Sequence, residues 1–107
     1  MSVSNRAHLR IRIQLLDDDS NPTGFPITVV GREYWILRKL VDAGEAGVSS
    51  LENIGPRVAH YVFKLRGYGL AIETIIEKHG GAYPGHHARY RLHSKLLVLD
   101  EAGRLAA

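Results

Sequence analysis

Two segments near the start of the chain have the residue pattern of a short β-hairpin. The apolar positions of segment 8–15 are Leu9, Ile11, Ile13 and Leu15. Their alternation with polar residues predicts a half-buried strand, in which Gln14 and the other polar residues point to the opposite side. Segment 25–30, FPITVV, is a second strand-like run, and the turn-forming sequence DDDSNPTG separates it from the first. The two runs are predicted to form a hairpin or to flank one small sheet.

Helical spacing replaces this alternation after Gly31. The apolar stripe of segment 32–43 consists of Ile36, Leu37, Leu40 and Val41. Apolar residues spaced by three and four positions predict a helix with one buried face. Gly44 follows directly and is suited to end the helix, because glycine readily adopts the left-handed conformation of a residue just past a helix end.

The next stretch predicts two helices in close succession. The sequence SSLE at 49–52 is a capping box, in which the first serine hydroxyl accepts a hydrogen bond from the amide of the fourth residue. The helix that it begins must be short, because Gly-Pro follows at 55–56. Proline is tolerated at a first helical position, so a second helix is predicted over 56–66. The glycines of GYG at 67–69 end it.

A second hairpin is predicted after these helices. The strand-like sequences AIETIIEKH, at 71–79, and ARYRLH, at 88–93, flank the turn sequence GGAYPGH. This order is typical of a hairpin with a long tip. Glu73 and Glu77 share one face of the first strand, so we expect them to lie across from arginines of the second.

The order of helix, short helix, basic helix and hairpin resembles the winged helix-turn-helix DNA-binding domain over residues 31–94. RVAHYVFKLRGYGLAIET resembles the end of the recognition helix and the start of the wing in small bacterial and phage proteins of this kind. HHARYRL looks like the returning wing strand. The resemblance implies an α+β fold, with a three-helix core and a C-terminal β-hairpin wing.

The predicted domain organisation has three parts. Residues 1–30 form an N-terminal β-hairpin extension packed on the same domain, and residues 31–94 form the winged-helix domain. Residues 95–107 form a C-terminal segment with a frayed end. The apolar run LLVL within it fits either a third strand or the start of a helix.

The basic helix carries the first group of candidate DNA-binding residues. Its apolar stripe consists of Val58, Val62 and Leu65. Opposite this stripe lie Arg57, His60, Tyr61 and Lys64. In a helix-turn-helix the second helix enters the major groove with its N-terminal part against the bases, which suits an Arg57 contact to guanine. The alternative is a solvated helix face without a partner. Arg66 fits either a phosphate contact or an ion pair with a glutamate of the wing.

The wing carries the second group of candidates. They are Lys78, His86, His87 and Arg89, together with His79. Wings commonly touch the DNA backbone beside the recognition helix, and such contacts position a protein without reading sequence. The alternatives are a solvated hairpin tip and, for the arginines of the returning strand, neutralisation by the glutamates of the first.

Composition narrows the function classes. The 107 residues carry a net charge of +3 and no cysteine, so disulfides and thiolate metal sites are excluded. His86 and His87 point to opposite sides of an extended strand, and the histidines near the tip have no recognisable metal-ligand spacing, so no metal is expected. The chain has no phosphate-cradling loop and no nucleophile elbow, so we expect no enzyme activity and no cofactor.

The sequence predicts a sequence-specific double-stranded-DNA-binding protein, most simply a transcriptional regulator of bacterial or phage type. No segment has the length of a membrane span and the N-terminus lacks a signal-peptide core, so a cytoplasmic protein is expected. No small-molecule ligand is evident. A homodimer is predicted, through the N-terminal hairpin or the LLVL run. The alternatives are a winged-helix module for protein–protein interaction in a larger assembly and, more weakly, RNA binding.

Overall fold

The structure is a computed structural model, and it describes residues 9–51, 57–82 and 84–102. The elements in chain order are β1 (Arg10–Leu16), β2 (Ile27–Val30), α1 (Gly31–Ala43), a 3-10 helix (Gly44–Ala46), β3 (Val48–Ser49), α2 (Val58–Gly67), β4 (Ile72–His79), β5 (Gly85–Leu92) and β6 (Lys95–Ala102). The fold is therefore α+β, as predicted. Neither described α-helix has the length and apolar character that crossing a bilayer requires.

Packing divides the chain into two compact units. The first extends to Trp35 and resumes at Ser94, and the second is Ile36–His93. The first unit contains an antiparallel sheet of strand order β2-β1-β6. The predicted hairpin is therefore confirmed, and the LLVL run forms a strand beside β1 and not a helix. Ile11, Ile13 and Val29 are fully buried, as the alternation of β1 requires.

Gln14 corrects one expectation about the first strand. The period of two predicts an exposed side chain, but Gln14 is only 8 % exposed. Its amide nitrogen lies within hydrogen-bonding distance of the carbonyl oxygens of Thr23, at 2.9 Å, and Gly24, at 3.2 Å. The β1–β2 connection covers the polar face of the strand at this point. A buried amide is tolerated there because it is hydrogen-bonded.

The second unit builds its core from the apolar stripes of both helices and from one face of a second sheet. The sheet is antiparallel and has the strand order β3-β5-β4. Its buried hydrophobic residues are Ile36, Leu37, Leu40, Val48, Val58, Val62, Leu65, Leu70, Ile72 and Tyr90. The two-residue strand β3 makes the predicted hairpin, β4–β5, a three-stranded wing sheet.

The C-terminal end of α2 is set by glycine, as predicted. Gly69 has φ +103°, and its amide donates to the carbonyl of Arg66 at 2.9 Å. The amide of Leu70 donates to the carbonyl of Leu65 at 3.4 Å. This pair of bonds is a Schellman motif, and the two buried leucines provide the apolar contact that accompanies it. The motif turns the chain directly from the helix into β4.

The predicted short helix between α1 and α2 falls mainly on residues 52–56, which lie outside the described residues. Just before them, Ser49 belongs to β3 and is 2 % exposed, and its hydroxyl accepts a hydrogen bond from the amide of Leu51 at 3.1 Å. The described residues thus contain two α-helices of the predicted three-helix core. The second begins at Val58, two residues after the predicted start.

Candidate nucleic-acid interface

The solvent-facing side of α2 presents the predicted DNA-binding residues of this helix together. Arg57, His60 and Lys64 are exposed, and Tyr61 is half-buried. The rings of His60 and Tyr61 meet edge to face, with centroids 5.4 Å apart. The sequence of α2 contains no acidic residue. The positive side chains of this helix therefore have no carboxylate on their own element to neutralise them, which suits a polyanionic partner.

Phe63 is a candidate interface residue that the sequence reasoning missed. Its side chain is 70 % exposed, although it lies in the middle of a helix that packs against a core. Three residues advance an α-helix by about 300°, so Phe63 lies within about 60° of His60 around the helix axis. Helical spacing alone could have placed it on the basic face. Hydrophobicity alone assigns a phenylalanine in a helix to the core, which is the opposite of its position here.

Arg66 lies at the end of α2 and holds the helix to the wing sheet. Its Nη2 donates to the Ile72 carbonyl at 2.6 Å and to the Thr74 hydroxyl at 2.8 Å, and its Nε donates to the same carbonyl at 3.1 Å. A guanidinium with this many bonds in one direction is fixed in orientation. The partner is thus the start of β4, and not the glutamate that was one of the two sequence-based alternatives.

The strand register separates the predicted wing residues onto two faces. Lys78 lies opposite His86, on the same face as the buried Tyr90, and both side chains are exposed near the tip. His87 and Arg89 lie on the other face, because side chains alternate along a strand. The predicted divergence of His86 and His87 is therefore confirmed. Lys78 and His86 form a basic cross-strand pair, whereas the other two residues have acidic partners.

Glu77 neutralises the second face of the wing. Its carboxylate accepts from Arg89 Nε at 2.9 Å and contacts His87 Nε2 at 2.9 Å. Arg89 also donates from Nη1 to the Ala46 carbonyl at 3.0 Å. Farther from the tip, Glu73 lies across from Arg91, with 3.9 Å between charged atoms. The expected glutamate–arginine pairing of the two strands is thus confirmed.

Replacing Glu77 with glutamine is expected to lower the melting temperature at neutral pH and to have less effect in acid. The hydrogen bond from Arg89, assisted by His87, lowers the pKa of the Glu77 carboxyl below 4.5 against a smaller desolvation effect. The ionised carboxylate therefore stabilises the fold above pH 4.5, and this contribution disappears as the pH falls through the folded-state pKa. Thermal melts of both proteins between neutral pH and about pH 3 measure the difference.

Glu45→Gln is the matched control, because Glu45 is exposed and no ion pair involves it within the described part of the chain. Its melting temperature should follow the wild type over the whole pH range. If the melting temperature of Glu77→Gln fell further below that of the wild type as the pH is lowered, the assigned role of the carboxylate would be wrong.

The histidines of the wing do not assemble a metal centre in the described residues. His79 Nδ1 and His87 Nδ1 are 3.0 Å apart, so one ring donates to the other. Within the ranges 9–51, 57–82 and 84–102, no group of three or more histidine or carboxylate side chains is placed to hold an ion. A two-histidine contact falls short of the four ligands of a structural zinc site.

A helix with an exposed basic face, followed directly by an antiparallel hairpin with a basic tip, is the arrangement of the winged-helix class of proteins. Residues 26–102 match the family model of the winged helix domain, which is more than half of the chain. The chain belongs to the winged helix domain family. No curated protein and no solved structure matches it.

Proposed function

We propose that the protein binds double-stranded DNA sequence-specifically and acts as a transcriptional regulator rather than as an enzyme. The observation that carries the proposal is the exposed, acid-free face of α2, on which Arg57 and Lys64 form no ion pair with the described residues. Winged helix domains commonly bind DNA, and the second helix of a helix-turn-helix enters the major groove. Membership of the family makes this the function that the geometry supports best.

In this arrangement α2 reads base edges and the wing contacts the flanking backbone. Arg57, at the N-terminal end of α2, is placed for a guanine edge, and Lys64 for a phosphate farther along the groove. The exposed pair Lys78 and His86 supplies the backbone contact of the wing tip. Arg66 and Arg89 act indirectly, because their guanidinium groups already hold α2 and β5 in place.

A homodimer completes the proposal. Symmetric pairing of two subunits lets each recognition helix contact one half-site, which raises the affinity of a small domain. An apolar stretch on β6 is available for pairing, since Leu97, Val98 and Leu99 are 51 %, 42 % and 47 % exposed. We place such a regulator in the cytoplasm of a bacterial or phage-infected cell.

Fluorescence anisotropy of the protein with labelled duplex DNA over a range of salt concentrations tests the proposal. Each neutralised phosphate releases counterions, so log K should fall linearly with log salt, with a slope of roughly −0.9 per contact. One phosphate contact on α2, from Lys64, and two on the wing predict a slope of about −3. The duplex ligand is obtained by selecting bound sequences from a random pool.

The protein–protein interaction module is the second candidate, and the exposed stretch of β6 favours it. The same experiment decides between the two functions. Failure to bind any duplex at low salt, together with a stable dimer in light scattering or a co-purified protein, would reject DNA binding and support the module.

A further inference from the structure

We infer that Phe63 is a specificity-determining residue that contacts the C5-methyl group of a thymine in the major groove. The inference rests on the proposed DNA binding. It adds the chemical group of the DNA, a thymine methyl, that the side chain of Phe63 recognises. It starts from the exposure of Phe63, 70 % of whose side chain lies in solvent.

The position of Phe63 on α2 places it among the groups that would face DNA. It lies beside His60 around the helix, and Lys64 is the next residue along the chain. Ala59, one turn before Phe63, is also exposed. The basic face of α2 thus includes an apolar strip, bordered by charged and polar side chains. DNA fits this combination because the major groove presents phosphates at its edges and apolar methyl groups on its floor.

Thymine is the base that such a strip distinguishes. Its C5-methyl is the apolar group that the four standard bases expose in the major groove, and phenylalanine and alanine are among the side chains that contact it. The other base edges there present hydrogen-bond donors and acceptors, which Phe63 cannot satisfy. A major groove about 12 Å wide admits the helix far enough for a side chain on its outer face to reach the floor.

Thymine and uracil differ only by this methyl group, so single thymine-to-deoxyuridine replacements in the selected duplex test the contact. One such replacement should weaken wild-type binding about four-fold, because the duplex then lacks one methyl group that the contact buries away from water. Phe63→Ala should bind the thymine and deoxyuridine duplexes equally, and Phe63→Leu should retain a preference for thymine.

Phe25→Ala is the matched control, because Phe25 is the other phenylalanine of the chain and is also exposed, at 90 %. It lies in the connection between β1 and β2 and not on α2. It should show the same thymine preference as the wild type. Circular dichroism melts establish that every variant is folded, which the exposure of both phenylalanines predicts.

The outcomes separate this inference from the proposed function. If the wild type binds its site and Phe63→Ala keeps the same thymine preference, the inference is wrong and the proposed function stands. The same holds if Phe63→Ala weakens self-association without changing DNA binding, which would assign Phe63 to a protein contact. If the wild type binds no duplex, both are wrong.

Discussion

Replacing Leu65 with alanine is expected to lower the free energy of unfolding by about 2–5 kcal/mol, the cost of truncating a buried leucine. Leu65 is fully buried in α2, and its carbonyl accepts the hydrogen bond from Leu70 that ends the helix. A small domain has about 5–15 kcal/mol of stability in total, so this one change can remove a large part of it. Urea unfolding followed by circular dichroism measures the difference.

Leu51→Ala is the control for this prediction, because the same truncation at a 56 % exposed position outside the proposed dimer surface leaves no buried cavity. It should change the unfolding free energy by no more than about 0.5 kcal/mol. Equal stabilities of the two variants would show that α2 does not pack through Leu65. Under conditions in which Leu65→Ala stays folded, its base preference should match that of the wild type, since the side chain faces away from the proposed interface.

Replacing Arg57 with alanine is expected to relax the base preference at one position of the binding site by about 1–3 kcal/mol, the typical worth of a bidentate arginine–guanine contact. Arg57 immediately precedes α2, is exposed, and makes no capping hydrogen bond with its side chain. The fold should therefore tolerate the change. Selection of bound sequences, followed by titration of the preferred duplex and its single-base variants, measures the loss.

Lys64→Ala provides the comparison within the same helix. A lysine that contacts phosphate should weaken binding to all sequences alike and reduce the magnitude of the salt slope by about 1. Arg12→Ala controls for the loss of one positive charge, since Arg12 is an exposed residue of β1. An unchanged base preference in Arg57→Ala would show that the N-terminal end of α2 does not read sequence.

Residue periodicity predicted the elements that carry the site. The stripe of Val58, Val62 and Leu65 predicted the buried face of α2, and all three side chains are buried. The same stripe fixed the opposite, solvent-facing side, because a helix turns by a constant angle per residue. The stop at Gly69 was also predictable, since the left-handed backbone there favours glycine.

Gln14 shows where periodicity fails. Alternation along β1 assigns this side chain to the polar face, which is correct, but it cannot tell whether another segment covers that face. The carbonyls of Thr23 and Gly24 do so, and these residues are nine and ten positions away in the chain. Burial is decided by contacts between distant segments, about which a local pattern carries no information.

The wing residues illustrate the same limit at the candidate site. The sequence grouped four basic residues of the tip as candidates, Lys78, His86, His87 and Arg89, and left open whether the glutamates of the first strand neutralise the arginines. The register of β4 against β5 divides the four candidates, because a shift of one residue would exchange the two faces. In the observed register Glu77 contacts His87 and Arg89. Lys78 and His86 lie on the other face and remain exposed.

By itself, the sequence determined the α+β order of elements, the buried stripe of α2, the end of that helix and the basic character of its outer face. These features depend on backbone preferences and on side-chain periodicity within one segment. The tertiary structure alone decided that β6 pairs with β1, that β3 completes the wing sheet, and that His87 joins Arg89 at Glu77 while Lys78 and His86 stay exposed. Strand pairing and register depend on energies summed over residues far apart in the chain, so they emerge only when the segments meet.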